Sequence, residues 1–344
     1  VYKMREGTRG ASIEAVAGSL PELFTTAFLL FIYNDVGGYG AGIATCAGSA
    51  VFNAVIIPAV CVLAVTIGGV NGVQINHIKL QRSVILRDAF FFLLSAGVLI
   101  ALLSNHYLTW WMGAILMSIY VVYFMVLMRG FGEDEESKQE SGVELPSEDM
   151  DHAAEKSLLS SLLSLDFNHL IFDGQPFSTR SAWIVLGLAT AAIAAACLLL
   201  SKGVIDAAVA LDVEPYFTAV ILGAAATSVP DTVISLKDAR KGDYDDAVSN
   251  AIGSNIFDIC IALGLPLLMY GLFVGSVPLA ESSSNVQQLQ MVLVFVTLCV
   301  LGFFLLGESC TKNNQRYQMI GKKTGWSLLV IYGGWTGFVL TTAM

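Results

Sequence analysis

Two short stretches join a proline to an acid: "VAGSLPELF" at 16–24 and "AATSVPDTV" at 225–233. Proline lacks the backbone donor and disrupts the turn before it. Carbonyls of residues such as Ala17, Gly18, Ala226 and Thr227 are therefore left without helical partners. The acids that follow, Glu22 and Asp231, sit in apolar surroundings, where an ionised side chain costs about 2.5–3.5 kcal/mol on insertion scales. Such an acid needs a counter-charge or a proton. Ser19, Thr227 and Ser228 add hydroxyl oxygens next to them.

A second pair of stretches completes the inventory. "AGSAVFNAVI" carries Ser49 and Asn53, and "IGSNIFDICI" carries Ser254 and Asp258. Each pair is spaced i,i+4 and shares one helix face. Gly48 and Gly253 permit close approach of a neighbouring helix. Every donor is an oxygen, which is hard-cation chemistry. Calcium accepts six to eight oxygens at flexible geometry, whereas magnesium holds its waters in a strict octahedron. Glu22 and Asp231 together balance one Ca²⁺, and the same oxygens can hold several Na⁺ instead. No lysine or arginine is expected deep in a span, so a bound cation or a proton must answer these acids.

The elements that position these groups are membrane helices. The chain of 344 residues is 55% hydrophobic and 13% charged, with a mean hydropathy of +0.69. A soluble domain carries roughly 25% charged residues. Stretches of about 20 apolar residues place nine spans near 12–33, 40–67, 85–104, 108–128, 181–201, 213–236, 247–273, 288–307 and 324–342. The fold class is thus an all-α polytopic membrane protein. The six cysteines and four histidines show no ligand spacing, so neither a disulfide frame nor a transition-metal site is expected. No resident cofactor and no enzyme chemistry are read from the chain. The acids Asp243, Asp245 and Asp246 read as a solvated loop or helix N-terminus.

Between the spans, "GEDEESKQESGVELPSEDMD" at 132–151 carries nine acids and one lysine, the composition of a solvated linker. The leucines after it recur at helical spacing, as in a helix lying on the membrane surface. Threading nine spans puts all 18 lysines and arginines but Lys202 on one side. The positive-inside rule makes that side cytoplasmic. The expected organisation is a half of four spans at 1–128, an acidic cytoplasmic linker at 129–180 and a half of five spans at 181–344.

The tandem match of both stretches argues for internal duplication. The threading places the two copies in opposite orientations, an inverted-topology repeat of five helices each. The first half lacks one helix, and the chain opens on Val1. The expectation is that the first helix of the first repeat is absent from this chain. That helix, or another membrane subunit, would then pack against the first half.

At "GSLPELF", "GSAVFN", "ATSVPDT" and "GSNIFD" the chain resembles the cation/Ca²⁺ exchanger superfamily. "DARKGDYDDAVSNAIGSNIFDICIALGLPLL" is most similar to potassium-dependent sodium/calcium exchangers and their prokaryotic relatives. The resemblance implies a ten-helix fold and alternating access at a mid-membrane site. It implies that Glu22 and Asp231 are the central carboxylates for Ca²⁺ and Na⁺. Ser19, Ser49, Thr227, Ser228 and Ser254 would line Na⁺ positions, with Asn53 and Asp258 flanking the centre. In the potassium-dependent branch the acid at the place of Asp258 is associated with K⁺. One departure is Gly18, where the family usually has Ser or Thr: a hydroxyl is lost and the backbone carbonyl kept. The reading is a Ca²⁺/Na⁺ antiporter with K⁺ as a candidate third ion and membrane lipid as its surroundings. The rivals are Ca²⁺/H⁺ exchange through the same acids and a non-transporting exchanger-like subunit.

Overall fold

Proline and a misfit serine divide two of the helices at matching places. In the computed structural model, which describes residues 8–33, 38–70, 73–105, 107–129, 179–278, 283–312 and 315–343, α1 (Gly10–Gly18) ends where Ser19 leaves helical geometry at φ −92°, ψ 7°. Pro21 then opens α2 (Leu20–Ile32) in its first turn, where a missing N–H costs nothing, and the axis bends by 45°. A matching break, without so sharp a bend, lies between α7 (215–227) and α8 (Val229–Lys241), with Ser228 at φ −81°, ψ −3° and Pro230 in the first turn. Gly242 closes α8 in the left-handed region at φ 91°. Both broken helices also carry a π-helical turn, Gly10–Glu14 in α1 and Ala219–Gly223 in α7. Such turns occur often at functional sites.

Several of the other helices pack against α3 (Gly38–Gly68), whose 31 residues are buried along most of their length. At about 1.5 Å per residue it is long enough to cross a bilayer. Chain order continues with β1 (His77–Gln81), α4 (Arg82–Leu103), β2 (Tyr107–Leu108), α5 (Trp110–Arg129) and α6 (Thr179–Leu211). After α7 and α8 come α9 (Tyr244–Phe257), a π turn (Asp258–Ala262), α10 (Gly264–Phe273), β3 (Val277–Pro278), α11 (Ser283–Leu305), β4 (Ser309–Lys312), β5 (Gln315–Gly321) and α12 (Lys322–Ala343). Among the described residues, those up to 129 and those from Cys197 on form one compact unit, and 179–196 belong to a second. The acidic run at 132–151 and the leucine pattern after it lie outside the described residues.

Among the described residues, six stretches are long and apolar enough to cross a membrane: α3, α4, α5, α6, α7–α8 and α9–α10. The bent pair α1–α2 makes a seventh if counted as one span. Helices also stand at the last two expected spans. There the apolar described part of α11, Met291–Leu305, is shorter. Glycine, threonine and tryptophan dilute the hydropathy of α12.

Short strands were not expected from the apolar pattern. β1 pairs antiparallel with β5, which also pairs with β4. β2 pairs with β3. β1 and β2 lie at opposite ends of α4, so the two strand pairs lie at opposite ends of the helices.

Two glycines set how closely the helices cross. A Cβ on Gly48 of α3 would overlap the Val220 carbonyl oxygen in the π turn of α7. A Cβ on Gly253 of α9 would crowd the Ala11 backbone in the π turn of α1. Each broken helix therefore lies directly on the backbone of the helix that carries the other glycine-serine stretch.

Candidate functional site

This crossing brings all ten sequence-selected residues into the interior. Gly18 is buried, and Glu22, Asp231, Asn53, Asp258, Ser19, Ser49, Thr227, Ser228 and Ser254 are each 0% or 1% exposed. Glu22 and Asp231 occupy the first turns of α2 and α8. Ser19 and Ser228 are the break residues just before them. Ser49 and Asn53 come from mid-α3. Ser254 lies near the end of α9, and Asp258 opens the π turn that follows.

Ser49 is the hub. Its hydroxyl donates to Glu22 Oε1 at 2.9 Å, lies 2.9 Å from Ser228 Oγ and 3.3 Å from Asp258 Oδ2. One hydroxyl has one proton, so it serves one of these acceptors at a time. Asn53 Nδ2 donates to Asp231 Oδ2 at 3.3 Å and reaches Ser49 Oγ at 3.4 Å. The hydrogen bonds thus join both halves of the chain. Thr227 lies beside Glu22, Ser19 beside Asp258 and Ser254 beside Asp231. The Thr227 hydroxyl donates to Ala224 O at 3.2 Å. Gly18 lies against Asp231, where a Cβ would overlap Oδ1. The departure at Gly18 is therefore a steric fit as well as a lost hydroxyl.

Buried polar atoms are normally hydrogen-bonded, yet six oxygens here have no partner among the described residues. They are Ser19 Oγ, Glu22 Oε2, Asn53 Oδ1, Asp231 Oδ1, Ser254 Oγ and Asp258 Oδ1. Among the described residues, no three His, Cys, Asp or Glu side chains form a metal cage by themselves. A cation here would need hydroxyl, amide and backbone oxygens as well as carboxylates. That mixed donor set suits a hard ion that must also leave.

Two asparagines that the motif reading passed over support this arrangement. Asn250 Nδ2 lies 3.3 Å from the Asp231 backbone oxygen and 2.8 Å from Ser235 Oγ, tying α9 to the start of α8. Asn255 Nδ2 donates to Ala50 O at 3.1 Å, tying α9 to α3. The signal for both is asparagine within a small-residue helix face.

Two further acidic groups add to the sequence reading. Arg87 and Asp88 lie in the first turns of α4, at the edge of the expected span 85–104 and not deep in it. Asp88 is fully buried and is met by Arg87 Nε at 2.6 Å, by Tyr123 Oη at 3.2 Å and by the Ser249 hydroxyl. The acids at 243–246 stand at a helix N-terminus, one of the two places read from the sequence, but they are not all solvated. Asp245 and Asp246 are 6% and 4% exposed, in the first turn of α9. Asp245 accepts from Gln81 N at 2.7 Å, and Asp246 from Gly10 N at 3.1 Å. Arg9 bridges Glu14, Asp238, Asp243 and Asp246 at 2.9–3.2 Å. A fold that packs α1 against α8 and α9 accounts for this burial, and a loop pattern in the sequence does not reveal it.

Comparison with known proteins gives five consistent likenesses. The family model described as "Sodium/calcium exchanger protein" matches residues 1–129 and 181–341. The human sodium/potassium/calcium exchanger 5 is 25% identical over 88% of this chain and 70% of its own length. The human sodium/potassium/calcium exchanger 3 is 40% identical over 35% of this chain, but over only 17% of its own length. Among solved structures, the sodium-calcium exchanger NCX_Mj covers 96% of this chain with 86% of its own, at TM-score 0.55 and 22% identity. The H⁺/Ca²⁺ exchanger CAX covers 95% with 75% of its own, at TM-score 0.59 and 14% identity. At these identities the two structures speak for the fold.

Proposed function

Since the chain belongs to the sodium/calcium exchanger protein family, within the cation/Ca²⁺ exchanger superfamily, we propose that this integral membrane protein is a secondary active antiporter exchanging Ca²⁺ for Na⁺. One observation carries the reading: three fully buried acids with unpartnered oxygens meet among hydroxyls, and among the described residues no lysine or arginine is bonded to them. Glu22 and Asp231 supply the charge that balances Ca²⁺. Ser19, Ser49, Thr227, Ser228, Ser254 and Asn53 complete the oxygen shell, with the backbone at Gly18. Because Ca²⁺ and Na⁺ need the same oxygens, they cannot both be held. That exclusion is what turns a binding site into an exchanger.

Asp258 is a third carboxylate on the same hub, and it gives room for a further monovalent ion. The two human relatives are named for potassium as well as sodium and calcium, which favours K⁺ as that ion.

The transport cycle we assign is alternating access by two inverted halves, 1–128 and 181–344, with the acidic linker 129–180 and the basic loops facing the cytoplasm. The halves keep register in detail. Gly10–Glu14 and Ala219–Gly223, Leu20–Ile32 and Val229–Lys241, and Glu22 and Asp231 are all separated by the same 209 residues. The strand pairs follow the same plan. The loop after α3 pairs with the loop before α12, and the loop after α10 pairs with the loop before α5. Nine spans are part of this proposal.

The test is ⁴⁵Ca²⁺ uptake into proteoliposomes with Na⁺, K⁺ and pH gradients varied separately. Uptake driven by an outward Na⁺ gradient is expected. Uptake driven by a pH gradient and indifferent to Na⁺ would instead establish the proton-coupled reading that the fold of CAX makes the main rival.

A further inference from the structure

Thr227 and Gly18 hold the same place in the two proline-acid stretches, one residue before Ser228 and Ser19. Their surroundings differ. Thr227 lies beside Glu22 and carries a hydroxyl into the site. Gly18 lies beside Asp231, and a side chain there would overlap Oδ1 and crowd Cγ. The Asp231 carboxylate therefore rests in the volume that a side chain at position 18 would fill. The oxygen in that volume, Oδ1, has no hydrogen-bond partner among the described residues, while Oδ2 accepts from Asn53. Each acid reaches across to the break in the other half. Glu22 finds a hydroxyl there, and Asp231 finds bare backbone.

We propose that the residue before each site serine is a selectivity position, and that Gly18 biases the site toward a divalent cation and against one Na⁺. A hydroxyl gives a monovalent ion a ligand without adding charge. Replacing it with a carboxylate oxygen concentrates negative charge in the same space. A fixed carboxylate attracts a doubly charged ion twice as strongly as a singly charged one at equal distance. The flexible shell of calcium also accepts a shared carboxylate readily. Gly18 thus acts by setting where Asp231 rests, and Thr227 by supplying the ligand that the other half lacks. This inference rests on reading the cluster as the exchange site.

Equilibrium ⁴⁵Ca²⁺ binding to the purified full chain, its displacement by Na⁺ and thermal unfolding of the same samples provide the test. Gly18→Ser displaces Asp231 and restores a hydroxyl. Its Ca²⁺ affinity is expected to fall by about tenfold, the size of one lost charged contact, and its Hill coefficient for Na⁺ displacement to rise. Thr227→Gly introduces no bulk. It is expected to lower the Na⁺ Hill coefficient and raise the ratio of Ca²⁺ to Na⁺ affinity. A folded Gly18→Ser with wild-type values for both ions overturns the inference. If that variant shows no cooperative unfolding, Thr227→Gly with an unchanged Na⁺ Hill coefficient overturns it. Wild-type protein that binds no ⁴⁵Ca²⁺ overturns the exchange-site reading, and this inference with it.

Discussion

Asp88 and Asp231 are both fully buried carboxylates in helices of membrane length, yet their surroundings have opposite logic. Asp88 has its counter-charge built in: Arg87 is adjacent in sequence, and Tyr123 and Ser249 complete its hydrogen bonds. Asp231 has one amide donor from Asn53 and a second oxygen left unpartnered among the described residues, and Glu22 and Asp258 each have one such oxygen. A buried acid answered by the protein's own cation joins α4 to α5 and α9. A buried acid without that answer is available to a cation from outside. On the proposed exchange reading, the contrast separates structural from transport acids more sharply than burial, which is the same for both.

Four experiments can break or sharpen that contrast. Glu22→Gln or Asp231→Asn should weaken Ca²⁺ binding the most, on the order of 10³-fold, since a unit charge pair at 4 Å is worth ~4 kcal/mol at an effective dielectric near 20. Loss of ⁴⁵Ca²⁺ uptake with a preserved unfolding transition is the expected result, and normal uptake would place the site elsewhere. Asp88→Asn should do the reverse. It leaves Arg87 with its main counter-charge removed, at a cost of about 3–5 kcal/mol to stability. The Ca²⁺ affinity of the protein that still folds should match wild type, and loss of affinity with intact stability would erase the distinction. Ca²⁺ itself provides a third comparison: at about 100 times its dissociation constant it should add about 2.7 kcal/mol to stability. Differential scanning fluorimetry should register this in wild type and Asp88→Asn, and not in Asp231→Asn. The smallest effect is expected from Asp258→Asn, which should shift Ca²⁺ affinity by about tenfold or less, as for one charged contact. It should also remove any stimulation of uptake by K⁺.

The candidate cluster was legible because its chemistry recurs locally. Proline, acid and hydroxyls lie within five residues of one another in each half, and the i,i+4 pairs at Ser49 and Ser254 need only one helix to share a face. What the sequence hid is long-range. Ser249 and Asp88 are 161 residues apart and belong to helices whose apolar patterns carry no address for each other. Arg87 looked like a loop cation because helix ends blur where charge begins. Asp245 and Asp246 are legible as helix N-terminal acids, but their burial is not, because their cover comes from α1 and β1, which no local pattern brings to them. The strands escaped because β1, β4 and β5 occupy short polar connections, where pairing is decided by the neighbouring loop.

Those strands have a consequence for the continuity of the chain. β1–β5 and β2–β3 each join residues before 129 to residues after 197, and they do so at opposite ends of the helices. The two halves are thus sewn together at both rims, independently of the peptide between them. A polypeptide severed between 130 and 178 would still carry both seams. Its two fragments, produced in the same cell, should find each other and purify as a pair.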